Sequence, residues 1–214
     1  GSFECQFADY CFQHVPKENS IFAYFQQHLG FAEGPNKTDP VHDTYELLNE
    51  GRVGMLDVPI SWLQREKNLM QRYCVENDYT FVNKAKIKAL LDTLRYPLYY
   101  LDFEAYPAIL PRFRGESAYS QSVFQFSVFV ETAPGALDPL DPATHKEFLA
   151  SDGEDRREEL VRTLLEAIPP GETPIIVYNQ TFEKNRLLEL AALFPGHAAR
   201  LEELAGRLFD LLRV

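Results

Sequence analysis

The run Leu98-Tyr99-Tyr100-Leu101-Asp102-Phe103-Glu104 constrains this chain more than any other segment. It is apolar and aromatic until its end, where two carboxylates stand at i and i+2. Side chains alternate across a strand, so Asp102 and Glu104 are expected on the same face of a sheet. Packing does not favour two like charges side by side. A hard divalent cation does, because Mg²⁺ and Mn²⁺ take carboxylate oxygens as ligands. The alternative is a strand end with both acids in water. A glycosidase pair ranks lower, since same-face neighbours stand too close to flank a glycosidic bond.

A second segment, Ile175-Ile176-Val177-Tyr178-Asn179-Gln180-Thr181-Phe182-Glu183-Lys184, reads as a β-branched strand running into a helix. Glu183 falls on the first turn of that helix, where an acid also stabilises the helix dipole. Asn179 either caps the helix or contacts a ligand. Phe182 reads as core. Between the two segments, Tyr106-Pro107-Ala108-Ile109-Leu110-Pro111-Arg112-Phe113-Arg114-Gly115 is a Pro-stiffened loop. Its arginines suit phosphate contacts and Phe113, with Tyr119, suits base stacking. A plain surface loop is the competing reading. Gln125 is a polar residue inside an apolar strand and faces either the site or solvent.

Residues 1–96 read as mainly helical. Ser20 precedes an apolar face at 21–25, residues 30–40 form a Gly/Pro/Asn linker, and 43–49 is a short helix. Pro59 opens another helix, and Asn83 caps a last one bearing Ile87, Leu90, Leu91 and Leu94. From residue 97 the pattern predicts α/β structure: strands at 98–103, 122–130 and 144–149, a helix at 152–168, a strand at 174–178, helices at 181–193 and 198–204, and a final apolar piece at 208–212. Asp210 suits a strand end or turn, with a metal contact as the alternative.

A formal net charge of −11 argues against a surface that grips nucleic acid by bulk electrostatics. It leaves room for a nuclease, because bound cations invert the field around clustered acids. Lys84, Lys86 and Lys88 read as solvated surface. No apolar run reaches membrane-spanning length. Three cysteines, an odd number, make no disulfide framework, and a reducing, cytoplasmic home is expected. Gly1-Ser2 reads as a cloning scar, so a longer natural chain is expected.

D-x-E on a strand followed by N-x-x-F-E on a later helix resembles the first two motifs of the DEDD, or DnaQ-like, exonucleases of the ribonuclease H-like superfamily. That resemblance implies a ribonuclease H-like mixed sheet with flanking helices over residues 97–214, with element order β-β-β-α-β-α. It also implies metal-dependent 3′–5′ hydrolysis of DNA or RNA phosphodiesters by two Mg²⁺ or Mn²⁺ ions. Asp102 would bridge both ions, Glu104 would hold the one on the nucleophile side, and Glu183 would take a position where the family usually has Asp. Asn179, Arg112 and Phe113 are the expected substrate contacts. The family's third motif, a His or Tyr a few residues before an Asp, is not found, so the exonuclease-like domain is expected to continue past Val214, which leaves open whether this segment is active or inactive alone. A non-catalytic nucleic-acid- or protein-binding module is the alternative.

A closer match is suggested by Tyr-Leu-Asp-Phe-Glu at 100–104, Pro-Arg-Phe at 111–113, Phe-Gln-Phe-Ser at 124–127, Tyr-Asn-x-x-Phe-Glu-Lys at 178–184 and Leu-Ala-x-x-Phe-Pro at 190–195. Together they look like a bacterial family of domains of unknown function. In that family the domain lies C-terminal to a RecB-like nuclease region that often ends in an iron–sulfur cysteine cluster. Residues 1–96 are then a helical region carrying the remnant of that cluster, Cys5 and Cys11, and an intact cluster is expected only in a longer protein. A zinc reading with Cys5, Cys11 and His14 lacks a fourth ligand. Cys74 reads as a small core residue.

Overall fold

The computed structural model describes residues 6–151 and 153–213. The chain divides into two compact units, Gly1–Asn83 and Lys84–Val214.

In the first unit, regular helix is limited to α1 (Ala8–Cys11), α2 (Thr44–Asn49) and α3 (Glu66–Glu76). Asp43 caps α2 in a capping box with Glu46, so the polar residues at this end satisfy the first free amides. The Gly/Pro linker contains a small antiparallel ladder, β1 (Phe31–Ala32) with β2 (Val41–His42). Ser20 and Pro59 each precede only a single 3₁₀ turn, Ile21–Ala23 and Ile60–Trp62, and neither has a side-chain cap. The unit is therefore less helical than its sequence suggests. It is organised around Ile21, Tyr24, Phe31, Leu47, Met55, Val58 and Leu63, a core built from short turns. Cys74 is half-buried on α3 and not a core residue. Cys5 lies outside the described residues.

The second unit opens with α4 (Lys84–Leu91), which ends before Leu94 and exposes Lys84, Lys86 and Lys88. It continues as β3 (Leu98–Pro107), β4 (Gln121–Glu131), β5 (His145–Leu149), α5 (Arg157–Ala167), β6 (Ile175–Val177), α6 (Thr181–Leu193), α7 (Ala198–Gly206) and β7 (Leu208–Asp210). The helix predicted over 152–168 starts later, at Arg157, and Asp152 lies outside the described residues. The strands form one five-stranded sheet in the order β5-β4-β3-β6-β7. β3, β6 and β7 run parallel, while β4 is antiparallel to β3 and β5. The fold is thus α/β, a mixed sheet with flanking helices. No helix among the described residues is long and apolar enough to cross a membrane.

Residue type explains the layering. β6 is all β-branched and wholly buried, as a central parallel strand requires. On β3 the residues alternate: Tyr99, Leu101 and Phe103 enter the core, while Asp102 and Glu104 are exposed. The core also holds Leu160, Val161 and Leu164 of α5, Leu187 and Leu190 of α6, and Leu201 and Leu204 of α7. These are the apolar positions at helical spacing, so the helix-bearing side of the sheet is the greasy one.

Candidate functional site

The chain runs outward from β3 through β4 to β5, then returns through α5 to β6 on the other side of β3. The junction of β3 and β6 is therefore a topological switch point, and open α/β sheets bind ligands beyond the carboxyl ends of strands at such points. β3 pairs with β6 only at Tyr99–Ile175 and Tyr100–Ile176. Asp102 and Glu104 follow just beyond, where β3 stays paired with β4 but runs past the end of its pairing with β6. Both are exposed, and neither side chain makes a hydrogen bond or ion pair among the described residues. Opposite them on β4 stand Ser127 and Gln125, so Gln125 shares the face of the acids.

The third acid arrives from the other side of the junction. After β6 the chain turns through Asn179, whose φ of 65° lies in the left-handed region that Asn tolerates better than most residues. Asn179 does not cap the helix with its side chain: α6 begins after Gln180 with no side-chain cap, and Asn179 itself is exposed. Its backbone N–H instead donates to Asp210 Oδ1 at 2.9 Å, and the Leu212 N–H donates to the same oxygen at 3.0 Å. Asp210 ends β7 in register with Val177 of β6, so one carboxylate ties the strand end to the turn that launches α6. Burial works to raise the Asp210 carboxyl, but the amides of Leu212, Asn179 and Gln180 outweigh it and hold the group below the usual carboxylate range.

Glu183, on the first turn of α6, is only 4% exposed. Its Oε2 has no hydrogen-bond partner. Burial raises its pKa, and the negative charges of Asp102 and Asp210 push it in the same direction. Glu183 of α6 thus feels the charges of two carboxylates from other elements, Asp102 of β3 and Asp210 of β7.

The donor set has the chemistry of a hard-cation site, all oxygen and all acidic. The orphaned Oε2 of Glu183 is a buried acceptor facing a cost of about 1–3 kcal/mol for want of a partner. Spacing is the missing feature, because among the described residues no group of three or more His, Cys, Asp or Glu side chains is gathered closely enough to hold an ion. The exposed acids Asp102 and Glu104 are the ones whose rotamers can change to close that gap. Cys11 and His14 are exposed, and likewise belong to no such group.

The loop after β3 is fastened to α5. Glu116 accepts the N–H groups of Arg112 and Phe113 at 2.8 and 3.1 Å. Arg157, at the start of α5, donates to Glu116 at 3.1 Å, to Asp155 at 2.7 Å and to the Arg114 carbonyl at 3.0 Å. The loop is therefore held by a buried ion network that sequence inspection missed, since its members are 41 residues apart. The Arg112 guanidinium lies over the rings of Tyr106 and Phe113, at 5.5 and 5.2 Å from their centroids.

The family described as Domain of unknown function (DUF2779) matches residues 99–214. No curated protein and no solved structure matches the chain.

Proposed function

The chain belongs to the DUF2779 family, whose description assigns no activity, and we propose from the chain's own residues that the β3–β6 switch point is the centre of a divalent-metal-dependent phosphodiesterase of ribonuclease H-like, DEDD-exonuclease type. The observation that carries this is Glu183: a carboxylate with an orphaned oxygen, pushed up first by burial and then by two further acids at the carboxyl ends of parallel strands. The order β-β-β-α-β-α from β3 to α6 supports the ribonuclease H-like reading.

In this reading Asp102, Glu104 and Glu183 hold Mg²⁺ or Mn²⁺. The chemistry supplied by bound ions is polarisation of a phosphate and activation of water. Glu183 is fixed by the core and sets where the site lies. Asp102 and Glu104 close onto it from an exposed strand. Asp210 positions the turn that aims α6, and the exposed side chain of Asn179 reaches the substrate. Arg112 and Phe113 take a phosphate and a base of DNA or RNA.

The second reading is a nucleic-acid-binding module that does not cut. The absence of a gathered ligand group among the described residues favours it. Titrating Mn²⁺ by calorimetry into the protein and into an Asp102→Ala/Glu104→Ala variant separates the two. Heat that disappears in the variant, with Mn²⁺-dependent release of nucleotides from a labelled oligonucleotide, supports the enzyme. Equal, negligible heats from both proteins, with oligonucleotide binding retained, support the module.

A further inference from the structure

A cavity of about 230 Å³ opens at the same end of the sheet, beside α5. Its wall includes Tyr106, Arg112, Phe113, Phe124, Phe148 and Arg157. In a chain of net charge −11 this wall is an exception, because it gathers guanidinium groups and aromatic rings around a single carboxylate, Glu154. Two of those guanidinium groups face one ring: Arg112 and Arg157 lie 5.2 and 5.1 Å from the centroid of Phe113. Arg157 is neutralised by Asp155 and Glu116. The Arg112 guanidinium makes no ion pair among the described residues: Glu116 bonds only its backbone N–H, and Glu154 stands on the same wall.

The cavity is joined to the acids by a single irregularity. β3 and β4 shift register after Glu104: Glu104 stands opposite Gln125, and Ala105 opposite Val123, which leaves Phe124 as the extra residue of a bulge. Phe124 then lines the cavity, while its neighbour Gln125 stays opposite Glu104. Bulges re-aim side chains next to active sites, and this one places an aromatic wall one residue from the acid face.

We propose that this cavity is a nucleotide pocket, taking one unpaired base among the rings and its phosphate on Arg112. A guanidinium recognises phosphate in a planar, forked geometry, and aromatic faces accept any base. The volume is below the roughly 300 Å³ at which pockets that bury drug-sized ligands begin, so the cavity takes the base and leaves the ribose and phosphate at its mouth, beside Arg112. A base enters such a cavity only when it is out of a duplex stack, so the substrate class is a strand with an unpaired nucleotide. The inference deepens the nuclease reading by naming its substrate, and it is tested apart from the metal.

The test is a titration in EDTA, followed by NMR, with AMP, adenosine and inorganic phosphate as separate probes. AMP is expected to shift the amides of Phe113 and Phe124, to bind at least tenfold more tightly than adenosine or phosphate, and to lose at least tenfold in affinity in Arg112→Ala. Arg112 is exposed, so this variant keeps the fold, checked by an unchanged spectrum elsewhere. Phosphate binding as tightly as AMP would reduce the site to an anion contact and overturn the assignment. So would AMP shifts that map away from the cavity or survive Arg112→Ala unchanged. AMP binding here with no Mn²⁺ binding at Asp102 and Glu104 would leave the pocket standing and the phosphodiesterase reading refuted.

Discussion

Replacing Glu183 by Met isolates the cost of the candidate site. Glu183 is 4% exposed, so the side chain must fill space, and Met keeps nearly the same volume. The wild-type fold carries a buried carboxylate oxygen without a partner, which costs about 1–3 kcal/mol. Allowing for imperfect repacking, a net gain of about 1–2 kcal/mol is expected, or roughly 3–8 °C in Tm for a unit of this size. The gain must depend on pH with a fixed sign. Burial, followed by the charges of Asp102 and Asp210, raises the Glu183 pKa in the folded state. The folded wild type therefore holds this proton more tightly than the unfolded chain. Its stability is fully present below the unfolded carboxylate value, about 4.3, and falls as pH rises through the raised folded value. The Met variant does not titrate there, so the gap should be small at pH 4, widen with pH and then level off. Melts of both proteins in EDTA across this range provide the measurement. Adding Mn²⁺ should then reverse the order, since a ligand at a hundred times its Kd adds about 2.7 kcal/mol to the protein that binds it. A variant that melts at or below wild type at pH 8 in EDTA, or a gap indifferent to pH, would refute the reasoning.

Three other perturbations follow from the same geometry. Asp210→Ala removes the acceptor of the Asn179 and Leu212 amides, and urea denaturation should show a loss of about 1.5–3 kcal/mol, with faster hydrogen exchange at Asn179; an unchanged midpoint would deny Asp210 its positioning role. Arg157→Met leaves the Glu116 side chain, 4% exposed, without its cation, and should cost about 3–5 kcal/mol in the same assay. The Arg157 hydrogen bond holds Asp155 below its usual range; burial opposes the lowering at Glu116, where Ser122, the Arg112 and Phe113 amides and Arg157 prevail. That stability is present above ordinary carboxylate values and lost as pH falls through the depressed folded ones, so the acid limb of the melting profile should flatten in Arg157→Met. By contrast, Asp102→Asn with Glu104→Gln alters only exposed groups and should leave stability within about 0.5 kcal/mol while abolishing Mn²⁺ heat.

The second unit was legible because its signals are periodic. Alternation on β3 and the all-β-branched β6 announce strands, and the leucines of α5 and α6 announce a helical face. The first unit misled, because a Ser before an apolar run and a Pro before another are start signals that tertiary packing cut short to single turns. At the candidate site, the shared face of Asp102 and Glu104 was readable from spacing alone. The dual tie of Asp210 was not, since it depends on β7 lying beside β6, a pairing that local pattern does not encode. The cap reading of Asn179 fails for a related reason: its residue type fits both a cap and a left-handed turn, and the bond to Asp210 that goes with the turn comes from 31 residues away.

The clamp on Asn179 comes from a residue 31 positions later. A ribosome adding about 5–20 residues per second reaches Asp210 some seconds after it has made the turn that Asp210 secures. Until then α6 has no anchor at its start, and Glu183 has no reason to stay where it is aimed. A nascent chain therefore carries Asp102, Glu104 and Glu183 in an unassembled form until Asp210 has been made. If the assembled acids cut nucleic acid, the order of the sequence itself delays that capacity until β7 has left the exit tunnel, beside the very message being read.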